Sequence, residues 1–246
     1  MKRKIAVILA AGKGTRLGQE GLSRPKSMTR IENTRIIDNL MLGLVRNGFA
    51  EAVVVVGYLE QKLRDTLKRF KSLIRITFVV NRDFATTNNI YSLWLARRYL
   101  RDGFFLFESD VFFEQPLLRR LVECKHPNVM LVDRWRREMN GTVVELGGHD
   151  YVKEMYLKTQ QGQGFDFGDK FKTVNFYKLS ASYAGKSFLA KLDRHIRRKD
   201  VNVYYEQIIK EDIDEGHSFY GLKAGSSRWW EIDTPEDVRL ANGLFK

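Results

Sequence analysis

A glycine-rich segment near the amino end carries the residue types best suited to chemistry. Residues 11–17 read A-G-K-G-T-R-L and follow the apolar run Ile5–Ala10, which predicts a buried strand ending in a loop. Glycines allow such a loop to point several backbone N–H groups at one anion, because they adopt positive φ without strain. Arg16 and, ten residues later, Lys26 add two cations. The segment therefore predicts a binding site for a polyphosphate.

The spacing of this loop differs from two common nucleotide-binding loops. It lacks the G-x-x-x-x-G-K-S/T pattern of a Walker P-loop, and Gly12, Gly14 and Gly18 are spaced one residue too widely for the dinucleotide fingerprint G-x-G-x-x-G. Read as L-A-A-G-x-G-T-R-L followed by P-K, the segment resembles the signature of the sugar-phosphate nucleotidyltransferases. A glycine-rich turn after a strand is often merely structural, but Arg16 and Lys26 at this spacing favour the functional interpretation.

Two aspartates are candidate metal ligands. Asp110 follows an apolar run and Asp233 precedes a predicted helix, so the structural alternative for each is a turn or helix cap. Nucleotidyl transfer brings two anions together, and each pair of unit charges at about 4 Å repels by about 1 kcal/mol even in water. Mg²⁺ bound by one or two carboxylates and by phosphate oxygens offsets this repulsion. The resemblance therefore implies that Asp110 and Asp233 bind Mg²⁺ as cofactor.

Seven further segments carry motifs that narrow the resemblance. They are V-G-Y-L at residues 56–59, N-N-I-Y-S-L at 88–93, S-D at 109–110, M-N-G-T-V-V at 139–144, K-T-V-N-F-Y-K at 172–178, Y-Y-E at 204–206 and E-I-D at 231–233. Together they resemble the choline-phosphate and 2-aminoethylphosphonate cytidylyltransferases, nearly from end to end. This implies a Mg²⁺-dependent enzyme that transfers CMP from CTP to a small amino-alcohol phosphate or aminoalkylphosphonate, such as 2-aminoethylphosphonate or phosphocholine, and releases pyrophosphate.

The same resemblance implies roles for residues around the nucleotide. Arg16 and Lys26 are the expected catalytic cations near the α-phosphate, and Lys13 with the loop is expected to hold the β- and γ-phosphates. The residues expected to bind the nucleotide are Leu9, Ala10, Ala11, Gly12, Lys13, Gly14, Thr15, Gly57, Tyr58, Asn88, Asn89 and Ser109. Ser109-Asp110 stands where relatives have Asp-x-Asp, so the carboxylate at this position must be Asp110.

The acceptor pocket is predicted from chemistry alone. An ammonium group can be held by aromatic faces and a carboxylate, and a cation–π contact contributes roughly 0.5–2 kcal/mol. The residues available for this pocket are Asp133, Trp135, Lys172, Tyr204, Glu206 and Trp229. The alternative is that the aromatic residues belong to the ordinary core or rim. Phosphate and phosphonate present similar oxygens, and the motifs at 139–144 and 172–178 favour aminoethylphosphonate.

Alternating strands and helices position these residues. Strand patterns at residues 52–57, 74–80 and 104–108 alternate with helical patterns at 36–49, 59–70 and 89–100. This alternation predicts right-handed βαβ units and an α/β fold with a doubly wound, mostly parallel mixed sheet, Rossmann-like and of the GT-A-like nucleotidyltransferase type. Short strands after residue 129 predict a small β-rich extension that binds the acceptor. We expect one domain over residues 1–246, with a nucleotide-binding half at 1–128 and an acceptor-binding half at 129–246.

Composition limits the partners. The chain is 43% hydrophobic with a net charge of +12, but its basic residues are dispersed and no nucleic-acid-binding motif is present. The single cysteine, Cys124, excludes an internal disulfide and fits the cytoplasm, and no stretch approaches the ~20 apolar residues of a membrane span. We therefore expect CTP and a small zwitterionic phosphate or phosphonate as partners, without nucleic acid or membrane insertion, and leave a homodimer open.

Two other functions fit part of the pattern. A sugar-1-phosphate nucleotidyltransferase using UTP, dTTP or GTP shares the loop and the metal site, although its sugar pocket calls for more hydrogen-bonding residues. A non-catalytic nucleotide-sensing regulatory protein shares the fold, but intact Arg16, Lys26, Asp110 and Asp233 argue against it. Nucleic-acid binding, a third alternative, predicts salt-dependent retention of oligonucleotides.

Overall fold

The structure, a computed structural model, describes residues 4–246, and at residues 19 and 20 it describes the backbone alone. Residues 1–3, with which the predicted nucleotide-binding half begins, lie outside the described residues. The strands are β1 Ile5–Ala10, β2 Arg30–Ile31, β3 Thr34–Arg35, β4 Glu51–Val56, β5 Arg75–Val80, β6 Gly103–Glu108, β7 Val111–Phe113, β8 Val129–Arg134, β9 Val143–Leu146, β10 Val152–Tyr156, β11 Phe171–Ser180, β12 Tyr220–Lys223 and β13 Trp229–Glu231. The helices are α1 Gln19–Ser23, α2 Ile36–Arg46, α3 Glu60–Leu67, α4 Asn89–Leu95, α5 Gln115–Glu123, α6 Ala181–Tyr183, α7 Leu189–Arg197, α8 Glu206–Asp214 and α9 Pro235–Leu244.

A mixed sheet forms the centre of the molecule. Among the described residues it has nine strands in the order β10-β9-β11-β6-β1-β4-β5, with β8 paired to β11 and β12 paired to β8. Strands β5, β4, β1 and β6 are parallel, and β11 then runs antiparallel to β6. The predicted α/β fold with a mixed sheet is confirmed.

Both faces of this sheet are covered. Strand β4 is buried along its whole length and β1 along all but its first residue, which is typical of strands between two helical layers. Ala6 and Ile8 belong to one buried apolar cluster, while Val7 and Leu9 belong to another. Because neighbouring side chains on a strand point to opposite faces, the two clusters lie on opposite sides of the sheet. No helix in residues 4–246 is long and apolar enough to cross a membrane.

Strand β11 joins the two halves of the sheet. Strand β6 pairs with its residues 176–180 and β9 with Phe171 and Lys172, while β8 pairs with residues 171–173 and again with 177–178. The register of the β11–β8 pair shifts between Thr173 and Tyr177, where Asn175 has φ 62°. Such a bulge turns a side chain away from the regular alternation, and Asn175 lines the cavity described below.

Candidate functional site

A cavity of about 790 Å³ opens at the carboxyl ends of β1, β5 and β6. This is where open α/β sheets bind their ligands. The predicted site residues that line it are Leu9, Ala10, Ala11, Gly12, Lys13, Gly14, Thr15, Arg16, Lys26, Asn88, Asn89, Ser109, Asp110, Lys172, Tyr204, Glu206 and Asp233. The structure therefore brings residues from both halves of the sequence together around one space.

Gly57 and Tyr58 lie behind the glycine-rich loop and do not line the cavity. The Tyr58 backbone N–H donates to the carbonyl of Ala11 at 3.0 Å, and its hydroxyl donates to the carbonyl of Leu22 at 2.8 Å. A Cβ atom at Gly57 would lie 2.9 Å from both the Ala11 oxygen and the Phe84 Cβ. The pair supports the loop, and Gly57 leaves the space that this close approach requires.

Three residues predicted for the acceptor pocket also lie away from this cavity. Asp133 accepts a hydrogen bond from the indole N–H of Trp229 at 2.9 Å, and Trp135 stacks on Phe167 with ring centres 4.1 Å apart. Trp229 borders a second cavity of about 450 Å³, which shares Lys172 and Asp233 with the first. Trp135, Asp133 and Trp229 therefore form no aromatic cage at the larger cavity within the described part of the chain.

The glycine-rich loop approaches the side chain of Lys26 closely. Gly14 has φ 63°, and a Cβ atom there would lie 2.9 Å from the Lys26 Cβ. The Leu17 N–H donates to the carbonyl of Gly14 at 3.0 Å, and the buried Leu17 side chain anchors the turn. Gly12 and Lys13 remain exposed at the cavity wall, where their N–H groups can meet an anion.

Lys26 lies between the two predicted aspartates. Its Nζ is 2.6 Å from Asp110 Oδ2 and also contacts Asp233 Oδ1, while Arg16 Nη2 is 2.9 Å from the same Asp233 oxygen. Burial acts to lower the pKa of Lys26, but the nearby carboxylates of Asp110, Asp233 and Glu231 outweigh it and raise the pKa above its ordinary value. Lys26 is therefore a cation throughout the physiological pH range.

A short strand pair brings the two aspartates together. Val111 of β7 is paired with Glu231 of β13, and the Ile232 N–H donates to the carbonyl of Asp110 at 2.8 Å. A capping box at the start of α9 then fixes the backbone of Asp233. In it the carboxylate of Asp237 accepts from the N–H groups of Asp233 and Thr234 at 3.1 and 2.8 Å.

The acidic cluster fits a divalent cation. Carboxylate oxygens of Asp110, Glu231 and Asp233 lie within 4.8 Å of one another. Asp110 Oδ1 is buried and has no hydrogen-bond partner among the described residues, an arrangement that is costly unless a ligand satisfies it. Carboxylate oxygens are the ligands that Mg²⁺ prefers. Glu231 belongs to the motif E-I-D but is not among the metal ligands predicted from the sequence, because its approach to Asp110 depends on the β7–β13 pairing.

Two further carboxyl groups line the cavity, Glu108 at the end of β6 and Glu206 at the start of α8. Burial raises the pKa of Glu206 to about 7, and burial together with the charge of Asp110 raises the pKa of Glu108 well above its ordinary value. The Asn89 amide donates to Glu108 at 3.1 Å and accepts from the Tyr205 N–H at 2.9 Å. Asn89 therefore links β6 to the start of α8 as well as lining the cavity.

Comparison with known proteins identifies the class. Residues 6–202 match the family model described as a MobA-like NTP transferase domain, and the chain belongs to this family. It is 33% identical over 241 residues to CMP-5'-(3-aminopropyl)phosphonate synthase of Streptomyces rubellomurinus, covering 98% of this chain but only 38% of that relative. It is 26% identical over 248 residues to choline-phosphate cytidylyltransferase of Streptococcus pneumoniae, covering 98% of each.

A solved structure shows the same fold. CTP:phosphocholine cytidylyltransferase from Streptococcus pneumoniae has a TM-score of 0.84 to this chain at 21% identity, covering 99% of this chain and 100% of the other. The resemblance to the nucleotidyltransferases and to their cytidylyltransferase branch, inferred from the sequence motifs, is thereby confirmed. The role of each site residue stays a prediction.

Proposed function

We propose that this chain is a Mg²⁺-dependent cytidylyltransferase that transfers CMP from CTP to a small amino-alcohol phosphate or aminoalkylphosphonate and releases pyrophosphate. The observation that carries the proposal is the cavity in which the glycine-rich loop, Lys26 and the acidic cluster meet the β-rich half. Its volume of about 790 Å³ lies within the range of small-molecule sites and suits a nucleotide with a small acceptor. The Streptomyces and Streptococcus relatives, named for an aminopropylphosphonate and for choline phosphate, support this acceptor class.

In this reaction the cationic side chains of the chain stabilise and position the negatively charged reactants. An acceptor oxygen forms a bond to the α-phosphorus while the bond from that phosphorus to the departing pyrophosphate breaks. The attacking oxygen is already ionised at neutral pH, so a general base is not needed. Lys26 and Arg16 reduce the repulsion between the two anions, and Lys13 with the loop N–H groups holds the phosphates that leave. Mg²⁺ held by Asp110, Glu231 and Asp233 would further neutralise the triphosphate.

In this proposal the two halves of the chain bind different substrates. Residues 1–128 supply the loop, Lys26 and Asp110 for the nucleotide, whereas residues 129–246 supply the acceptor side and the ligand Asp233. Lys172 lines the cavity between them and is suited to the phosphoryl or phosphonyl group of the acceptor. A homodimer and the absence of nucleic acid from the reaction stay predictions.

Pyrophosphate release tests the proposal. We expect release from CTP with 2-aminoethylphosphonate or phosphocholine, and little release with UTP, dTTP or GTP. Lys26→Ala should abolish it, while Lys153→Ala should not, because Lys153 is an exposed lysine that pairs with Glu145 outside the cavity. Release only with sugar 1-phosphates would replace the proposal by a sugar-phosphate nucleotidyltransferase. Nucleotide binding without release for any acceptor would favour a nucleotide sensor.

A further inference from the structure

An unpartnered carboxylate oxygen is buried at the edge of the cavity. Glu206 is the first residue of α8 and is only 7% exposed, yet it lines the cavity. Its Oε2 has no hydrogen-bond partner among the residues that the structure describes. A buried polar atom without a partner destabilises the protein, and a charged one does so more strongly. The site is therefore built to receive a hydrogen-bond donor from the ligand.

The charged groups around Glu206 already have other partners. Lys172 is a buried lysine that lines the same cavity, but its Nζ pairs with Glu231 Oε2 at 3.1 Å and donates to the carbonyl of Thr173 at 2.6 Å. Glu108 already accepts from Asn89. Burial raises the pKa of Glu206 to about 7, because the cost of burying its charge exceeds the stabilisation from its own backbone N–H, Lys172 and Asn89. A cationic ligand group beside Glu206 removes this cost.

The lining of the cavity distinguishes two kinds of cation. A trimethylammonium group has no N–H donor and is bound mainly by aromatic faces. Within the described residues, the aromatic side chains that line the cavity are Phe84 and Tyr204. Phe84 lies beside Lys13 and Tyr58 on the nucleotide side, and Tyr204 is 55% exposed. Neither arrangement encloses a cation between ring faces.

A primary ammonium group fits what is present. Like the ammonium of a lysine, it carries three N–H donors and can satisfy a carboxylate oxygen directly. We propose that Glu206 receives the primary ammonium group of the acceptor and so makes this chain selective for aminoalkyl over trimethylammonium acceptors. This inference rests on the proposed function and names the acceptor class more narrowly. A hydrogen bond to a charged group corresponds to about ten- to a hundredfold in affinity.

Two matched acceptor pairs test the selectivity. Ethanolamine phosphate and phosphocholine differ only in three N-methyl groups, as do 2-aminoethylphosphonate and its N,N,N-trimethyl derivative. With CTP and Mg²⁺, the unaltered enzyme should show a kcat/KM at least about tenfold higher for the primary amine of each pair. Equal or better use of the trimethylated acceptors would overturn the inference while leaving cytidylyl transfer established.

The variant Glu206→Gln tests whether Glu206 is the source of the selectivity. It should raise the KM for the primary amines at least about tenfold and leave the KM for CTP unchanged. The kcat/KM values for the two members of each acceptor pair should then agree within about threefold. Glu211→Gln is the matched control, because Glu211 lies on the same helix but pairs with Arg194 and His195 outside the cavity. Retained selectivity in Glu206→Gln would refute the role of Glu206.

A failure of the proposed function can be distinguished from a failure of the ammonium site. If no acceptor releases pyrophosphate from CTP, the proposed function fails, and calorimetric titration of the same acceptors into the protein with CTP and Mg²⁺ then tests the site itself. Tighter binding of the primary amine, lost in Glu206→Gln but not in Glu211→Gln, supports the ammonium site. Equal binding of both members of each pair, or no binding of either, overturns it.

Discussion

Replacing Glu206 by Gln removes a buried titratable group while keeping its size, and the effect on stability can be calculated. Burial raises the pKa of Glu206 from 4.5 to about 7, so the folded chain holds this proton more tightly than the unfolded chain does. Because the folded pKa is raised, the energetic cost of this residue is absent below pH 4.5, grows as the pH rises and is complete above pH 7. At about 1.4 kcal/mol per pKa unit, the complete cost is about 3 kcal/mol.

The neighbouring charged groups act on this carboxyl group in both directions. The ammonium of Lys172 lowers the pKa of Glu206, whereas the charge of Glu231 raises it. The buried Tyr177 and Tyr205 lie close enough for the charge of Glu206 to raise their own pKa values further, after the larger effect of burial. The charge of Glu206 also contributes to the raised pKa of Glu108, so the difference between variant and unaltered protein reports the titration of Glu206 together with its effect on Glu108.

Urea unfolding at pH 5, 6, 7 and 8 measures the effect. We expect the variant to be more stable than the unaltered protein by less than about 1 kcal/mol at pH 5, and by up to about 3 kcal/mol at pH 8. Glu211→Gln should track the unaltered protein at every pH, apart from a constant offset. Parallel curves for Glu206→Gln and the unaltered protein would refute the account, because they would mean that Glu206 titrates as an exposed glutamate does.

The remaining predictions concern activity and the parts that support the site. Lys26→Ala and Asp110→Asn should each lower kcat at least a hundredfold while leaving the circular dichroism spectrum of the folded protein unchanged. Asp110→Asn should also weaken Mn²⁺ binding, measured by electron paramagnetic resonance. Near-normal turnover would contradict both roles. Gly57→Ala should raise the KM for CTP about tenfold, because the added Cβ meets the carbonyl of residue 11 at 2.9 Å and displaces the loop; an unchanged KM would show that the loop tolerates it. Thr234→Ala should lower the unfolding free energy by about 1 kcal/mol through loss of the helix cap, measured by urea unfolding, and no change would show that the cap is dispensable.

The parallel half of the fold and much of the cavity could be predicted from the sequence. Continuous apolar runs such as Ile5–Ala10 are typical of strands buried on both faces, and parallel strands place their carboxyl ends at one edge. Residues that closely follow such runs, including Gly12 and Asp110, could therefore be predicted to lie together at that edge. Asp233 could be predicted because it lies in the motif E-I-D and directly precedes Thr234, the N-cap residue of α9.

The remaining structural features depend on contacts that leave little local pattern in the sequence. Strands β7 and β13 are three residues long, too short for a recognisable alternation, so the approach of Glu231 to Asp110 was not predictable from periodicity. Helix α5 was also not predicted, although it buries Leu117, Leu118 and Leu121. Trp135 and Trp229 have the residue type that an ammonium pocket requires, but residue type does not fix where a side chain points.

Phosphorus NMR of a single reaction mixture follows both the cleavage of CTP and the transfer of CMP to the acceptor. With CTP, Mg²⁺ and 2-aminoethylphosphonate, we expect free pyrophosphate and a new product in which the phosphonate phosphorus is coupled to the former α-phosphorus of CTP. Lys26→Ala should leave all starting resonances unchanged over the same time. CTP that stays intact with the unaltered enzyme, or that yields CMP without a phosphorus–phosphorus coupled product, would contradict the claim that one cavity joins nucleotide and acceptor.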